Sequence, residues 1–172
     1  HATPLTQRAP SPVDSLRAAP DETLYEGWSK PVFALFVSGR QHGYIEPCGC
    51  TGLANQKGGL LRRHTCLEEL RAKGWDVIPL DLGNQVRRFG AQASIKFTRT
   101  VEALTGVMQY QAIGLGPDDL KLPSTDLIQA IVNSSEDDHV FTSANVDLFG
   151  GFVPKVQIVE RNGQTLGITS VL

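Results

Sequence analysis

The spacing of hydrophobic residues changes several times along the chain, and each change predicts a different secondary-structure element. Short apolar segments predict strands at residues 32–37, 77–82, 111–115 and 139–142. Longer segments with an apolar residue every three or four positions predict helices at residues 58–73, 92–107 and 124–133. Asn162-Gly163, between two further segments, predicts a closing β-hairpin. Strands and helices therefore alternate from residue 31 up to this hairpin.

This alternation predicts an α/β fold in which helices flank a mainly parallel sheet. The first apolar segment, residues 32–37, is continuous and therefore predicts a buried strand. Residues 1–29 contain four prolines and no apolar period, which predicts an extended leader or linker. One domain is then expected at residues 30–172. This expectation does not require that the natural chain ends at Leu172.

Composition and charge narrow the classes of protein to consider. Hydrophobic residues make up 41% of the chain and charged residues 20%, which excludes a wholly disordered or fibrous protein. Sixteen Lys and Arg against 18 Asp and Glu give a net charge of -2, so no overall basic field attracts nucleic acid. No apolar run is long enough to span a bilayer. We therefore expect no nucleic-acid partner and no membrane span.

Polar residues follow each predicted strand. Ligands of open α/β sheets bind at the carboxyl ends of the strands, so we expect the loops at 39–47, 81–88, 114–119 and 143–147 to converge on one edge. The candidate site residues in these loops are His42, Asp81, Asn84, Asp118 and Asn145. Each also has a purely local interpretation, because such side chains bind loop carbonyls, cap helices or form turns.

Cys48 and Cys50 lie one residue apart in a Pro-Cys-Gly-Cys turn. Two thiols at this spacing can close a strained, reducible disulfide or bind one soft ion such as Zn²⁺ or Cu⁺. The alternative is a buried structural pair. Cys66 lies in a helical pattern and is expected in the core. No Cys-x-x-Cys-His motif for covalent haem occurs in the chain.

The order of the strand-end loops resembles the first half of the calcineurin-like metallophosphoesterases, in the periplasmic 5′-nucleotidase branch. The Pro-Cys-Gly-Cys turn, followed by Gln-Lys-Gly-Gly-Leu-Leu-Arg-Arg at residues 56–63, resembles more narrowly a bacterial subgroup of nucleotidase-like proteins. The resemblance covers about residues 32–172. It implies a layered metallophosphoesterase-like sandwich, a periplasmic or otherwise extracytoplasmic location and a two-metal site.

The resemblance also implies where metal ligands would lie, and the sequence departs from that pattern. Family proteins carry Asp-x-His-Gly, Gly-Asp and Gly-Asn-His-Glu after the first three strands. Here Arg40 stands at the first aspartate, whereas His42 is retained. Asn84 replaces the bridging aspartate, and Pro117-Asp118 replaces the Asn-His pair. Because metal ions held close together need anionic ligands, these departures predict a degenerate dimetal site.

The predicted function is therefore that of a 5′-nucleotidase-like or metallophosphoesterase-like domain with little hydrolase activity, and no catalytic residue is assigned. Candidate cofactors are a divalent ion such as Mn²⁺ or Zn²⁺ at His42, or a soft metal at Cys48 and Cys50. Two alternatives stay open: a thiol redox or soft-metal module, and a structural domain associated with an electron-transfer partner such as a cytochrome module. The Arg62-Arg63 and Arg87-Arg88 pairs are interpreted as solvated surface charge, which near a site could hold an anion.

Overall fold

The computed structural model describes residues 25–47, 58–88, 90–134, 139–148 and 150–172. In chain order its elements are β1 (Ala34–Ser38), α1 (Leu60–Ala72), β2 (Val77–Asp81), α2 (Ala91–Glu102), β3 (Ala112–Ile113), α3 (Ser124–Asn133), β4 (Gln157–Arg161) and β5 (Gln164–Ile168). A π turn, Ala103–Val107, extends α2, and a short 3₁₀ helix, Asp119–Lys121, precedes α3. The predicted leader falls mostly outside the described residues, so the division at residues 29 and 30 stays a prediction.

The first three strands form a parallel sheet in the order β1-β2-β3. Ser38 at the end of β1 pairs with Asp81 at the end of β2, and Asp81 pairs in turn with Ile113 of β3. This register places the polar ends of the strands side by side. The predicted α/β fold, with a parallel sheet flanked by helices, is confirmed.

One hydrophobic core joins the helices to the sheet. Leu67 of α1, Phe97 of α2 and Ile113 of β3 belong to the same buried cluster. The rings of Phe97 and Phe141 stack with their centroids 6.3 Å apart, which ties α2 to the segment after α3. The core thus fixes the helices against the sheet whose carboxyl edge carries the candidate residues.

Two strand predictions need correction. β1 was expected to be buried, but Leu35 is 51% exposed and Val37 54% exposed, because β1 lies at the edge of its sheet and only alternate residues face inward. The strand expected at residues 139–142 is reduced, within the described residues, to one parallel bridge between Ile113 and Phe141. A continuous apolar run therefore did not identify a central strand.

The helices match their predicted ranges closely, but some apolar residues face outward. Leu61, Ile95 and Val107 are all at least 60% exposed, although their spacing placed them in the predicted apolar stripes. Cys66, which was expected in the core, is only partly buried, and its Sγ lies 3.9 Å from the Tyr25 hydroxyl. No helix among the described residues is long and apolar enough to cross a membrane.

The hairpin at Asn162-Gly163 is confirmed, because both residues have the positive φ of a type I′ turn, 50° and 75°. Its turn lies at the amino edge of the sheet, where the Asn162 side chain donates to the Val32 carbonyl at 2.8 Å. The segment after β5 lies at the opposite edge, where Ser170 Oγ donates to the Thr142 carbonyl at 2.6 Å. The hairpin therefore extends along the sheet from its amino edge to its carboxyl edge.

Candidate functional site

The loops after β1 and β2 are joined through their backbones. The Arg40 N–H donates to the Gly83 carbonyl at 2.8 Å, and the His42 N–H donates to the Asn84 carbonyl at 3.0 Å. Arg40, His42 and Asn84 all have φ between 52° and 58°, a left-handed conformation that is uncommon outside glycine. Such backbone strain concentrates at functional sites and persists only where the surroundings hold it. These bonds bring to one edge three positions at which the resemblance implies metal ligands.

The loop after β3 packs against the same place. Asn84 Oδ1 accepts a hydrogen bond from the Asp118 N–H at 3.1 Å. A Cβ atom at Gly116 would overlap the Asn84 amide, so this close approach requires glycine. The predicted convergence of the first three strand-end loops is therefore present in the fold.

The Asp81 carboxylate lies at the centre of this edge and is fully buried. Its Oδ2 accepts from Ser38 Oγ at 2.7 Å and forms an ion pair with Arg63 Nη1 at 3.0 Å. Its Oδ1 accepts from the Gly83 N–H at 2.8 Å and from the Gln85 side-chain amide. A buried carboxylate needs both a counter-charge and hydrogen-bond donors, and Asp81 receives them from the protein itself.

The hydrogen bonds continue outward from Asp81 in two directions. The Tyr110 hydroxyl lies 2.8 Å from Ser38 Oγ, and Arg63 Nη2 donates to Gln41 Oε1 at 2.6 Å. Burial raises the pKa of the Tyr110 hydroxyl, and its hydrogen bond with Ser38 lowers that pKa by a smaller amount. Tyr110 is therefore neutral at physiological pH. The result is a polar network beneath the strand-end loops, in which the buried Gln85 Oε1 is left without a hydrogen-bond partner among the described residues.

Asp119 forms a second buried carboxylate site, which holds the loops after β2 and β3 together. Its Oδ2 accepts from the Asn84 N–H at 2.7 Å and from the Gly116 N–H at 3.0 Å, and its Oδ1 accepts from the Val86 N–H at 3.2 Å. Burial raises the pKa of Asp119 to about 6, against the opposing effect of these backbone hydrogen bonds. From its place after Pro117-Asp118, Asp119 is interpreted as part of a turn, as the start of a helix or as a ligand. In the fold it begins the 3₁₀ helix, and its side chain also clamps two loops.

The Asp118 carboxylate interacts with cationic side chains. Its carboxylate accepts from Lys121 Nζ at 2.7 Å, and this hydrogen bond is the main reason why the pKa of Asp118 lies below its usual value. The charges of His42 and Arg87 act on Asp118 in the same direction, but more weakly. His42 and Asp118 are thus brought within electrostatic range of each other, in the company of two cationic side chains.

Asn145 is held apart from the other candidates. Its side-chain amide exchanges two hydrogen bonds of 3.0 Å with the backbone of Leu172. Leu172 and Asn84 both line a cavity of about 650 Å³, so the fourth loop borders the same edge only through the end of the hairpin segment. Asn145 therefore holds the segment after β5 against the loop at residues 143–147.

The described carboxylates at this edge are engaged by protein groups. No group of three or more His, Cys, Asp or Glu side chains within the described ranges is placed to hold a metal ion. The oxygens of Asp81 face a guanidinium, a hydroxyl and amides, and those of Asp119 face backbone N–H groups. Two-metal sites instead need carboxylates that bridge and flank the ions. The other predicted metal site, Cys48 and Cys50, lies outside the described residues.

Arg63 contacts the strand-end residues, which the sequence did not predict. It was grouped with Arg62 as solvated charge, but its side chain is only 12% exposed because it reaches Asp81. The spacing of Leu60, Arg63, Leu67 and Leu70 is that of one helix face, and the three leucines are buried. An arginine on an apolar helix stripe was therefore the available signal for a buried ionic partner.

Comparison with known proteins identifies the fold. The sequence matches no protein-family model and no curated protein. Among solved structures, the 5′-nucleotidase precursor of Thermus thermophilus matches 80% of this chain and 28% of its own, at 20% identity and a TM-score of 0.63. The NAD nucleotidase of Haemophilus influenzae matches 80% of this chain and 26% of its own, at 16% identity and a TM-score of 0.59. The chain spans about a quarter of the length of these two nucleotidases and has the α/β fold, with a parallel sheet flanked by helices, of that part of them.

Proposed function

We propose that this chain is the metallophosphoesterase-like domain of an extracytoplasmic, 5′-nucleotidase-like protein, and that its dimetal site is degenerate and supports little hydrolysis. The ion pair between Arg63 and Asp81 carries this proposal. It supplies a fixed positive charge to the buried carboxylate at the carboxyl edge of the sheet. The extracytoplasmic location rests on the resemblance of the sequence alone.

The positions at which the resemblance implies metal ligands support the same proposal. Arg40 adds a second positive charge where the resemblance implies an aspartate, and its side chain is exposed. Asn84 uses its amide oxygen to hold the Asp118 backbone, so this oxygen is already engaged. Bringing two divalent ions together requires several anionic ligands, and replacing ligands costs metal affinity. The edge has the family fold but a different charge distribution.

The purified chain is expected to release little or no phosphate from p-nitrophenyl phosphate or a nucleoside 5′-monophosphate, with Mn²⁺ or Zn²⁺ present, because a degenerate dimetal site lacks the anionic ligands that hold two ions. Strong metal-dependent turnover that disappears in His42→Ala would contradict the proposal. His139→Ala, which removes an exposed histidine elsewhere, is the matched control.

The alternative function through Cys48 and Cys50 concerns a segment whose flanking residues the structure does describe. A Cβ atom at Gly59 would lie 2.9 Å from the Pro47 nitrogen, so the residues on either side of segment 48–57 are in contact. Gly58 and Gly59 line a cavity of about 600 Å³ together with Arg40. The described residues that flank this segment therefore lie beside the strand-end loops. A thiol redox or soft-metal role, and an electron-transfer partner for it, stay predictions.

A further inference from the structure

A second cavity, of about 420 Å³, lies beside the strand-end loops and is lined by cationic side chains. Arg87 and Arg88 reach it from the loop after β2, and Lys96 reaches it from α2. His42 and Tyr44, from the loop after β1, form the opposite side. None of the described residues that line this cavity is acidic. The chain as a whole has a net charge of -2, so this positive patch is local.

The amino end of α2 adds to the positive potential. The helix begins at Ala91 after Gly90, has no side-chain cap and has no acidic residue in its first turn. Gln92 and Ala93, in that first turn, line the cavity. The Ala93 and Ser94 N–H groups donate to the Gly90 carbonyl, so the helix terminus contributes mainly its partial positive charge, which favours an anion. The helix terminus and the three cationic side chains therefore face the same space.

The cationic side chains are not neutralised by ion pairs. No ion pair in the described part of the chain includes Arg87, Arg88 or Lys96. Asp118 is within electrostatic range of Arg87, but its carboxylate is already bonded to Lys121. Glu46 lines a neighbouring cavity that also includes Lys96, and it does not line this one. The positive charge is consequently available to a ligand.

We propose that this cavity binds a doubly charged tetrahedral oxyanion through Arg87, Arg88 and Lys96, without a metal ion. Guanidinium groups match the geometry of such oxyanions with paired hydrogen bonds, and an ammonium adds a compact charge. A volume of about 420 Å³ accommodates either a free ion or a small ester that carries the same group. This site would hold its ligand with cationic side chains, whereas a dimetal centre holds it with metal ions. The proposal does not depend on the proposed function.

Isothermal titration calorimetry of the full 172-residue chain, with a chelator present, tests this site. Inorganic phosphate, sulfate and glycerol phosphate are the probes, and their relative affinities distinguish a free ion from an ester. We expect saturable binding at one site for at least one of them. Arg88→Gln and Lys96→Gln should each weaken that binding roughly tenfold, because each removes a charge-assisted hydrogen bond.

Arg99→Gln is the matched control, because Arg99 lies on the same helix, pairs with Glu102 and does not line the cavity. It should leave the binding unchanged, and all three exposed substitutions should leave the far-UV circular dichroism unchanged. The proposal is overturned if none of the three anions binds saturably at millimolar concentration, or if binding requires a metal ion. Equal weakening by Arg99→Gln would also overturn it, since this would indicate unspecific surface charge.

Discussion

Replacing Arg63 with methionine is expected to lower the free energy of unfolding by about 3–5 kcal/mol, because it leaves Asp81 buried without an opposite charge. The Asp81 side chain has no exposed surface, and that of Arg63 is 12% exposed, so solvent cannot compensate for the loss. Methionine retains most of the apolar volume of the arginine stem. Urea unfolding followed by circular dichroism measures the difference.

Two comparisons separate this effect from the loss of any surface arginine. Arg99→Met removes an exposed ion pair with Glu102 and should change the free energy of unfolding by about 1 kcal/mol or less. Adding Asp81→Asn to Arg63→Met removes the unpaired buried charge, so the double variant should be more stable than Arg63→Met alone. If Arg63→Met is no more destabilising than Arg99→Met, Asp81 does not depend on Arg63.

The stability of the protein is expected to depend on pH through Asp119. Its pKa is about 6 in the folded protein and 3.8 in an unperturbed chain, so the folded state binds this proton more tightly. The stability from this proton is therefore fully present below pH 3.8 and is lost as the pH rises through about 6. A difference of about two pKa units corresponds to roughly 3 kcal/mol between those limits.

Asp119→Asn removes this titration. The free energy of unfolding of the natural protein minus that of the variant should therefore fall by roughly 2.5 kcal/mol between pH 4 and pH 7. Urea unfolding of both proteins across that pH range measures this difference. Asp147→Asn, a variant of an exposed carboxyl group, provides the baseline. A difference between the natural protein and Asp119→Asn that stays constant with pH would show that burial does not perturb the Asp119 carboxyl.

Local signals in the sequence were sufficient for much of the fold. Gly74 marks the end of α1, and Asn162-Gly163 marks the hairpin, because both positions need a positive φ that few residues adopt easily. The edge position of β1 was not predictable in the same way. A continuous apolar run is typical of a strand buried on both faces, but whether a neighbour covers each face is decided by tertiary packing.

The candidate site was predictable in position but not in detail. The rule that parallel strands present their carboxyl ends together correctly grouped His42, Asp81, Asn84 and Asp118. It could not show that Asp81 binds Arg63, because the two residues meet only through the packing of α1 on the sheet. Nor could it separate Asn145, whose partner is the backbone of Leu172.

Electron paramagnetic resonance of added Mn²⁺ tests most directly whether protein groups occupy the strand-end carboxylates. Mn²⁺ prefers oxygen and nitrogen ligands, so Cys48 and Cys50 do not compete for it. If Arg63 neutralises Asp81 and backbone N–H groups occupy Asp119, the spectrum of the free aquo ion should persist when the protein is in excess. Loss of that signal with about two ions bound per chain, as expected of a two-metal centre, and its return in Asp81→Asn would contradict this account.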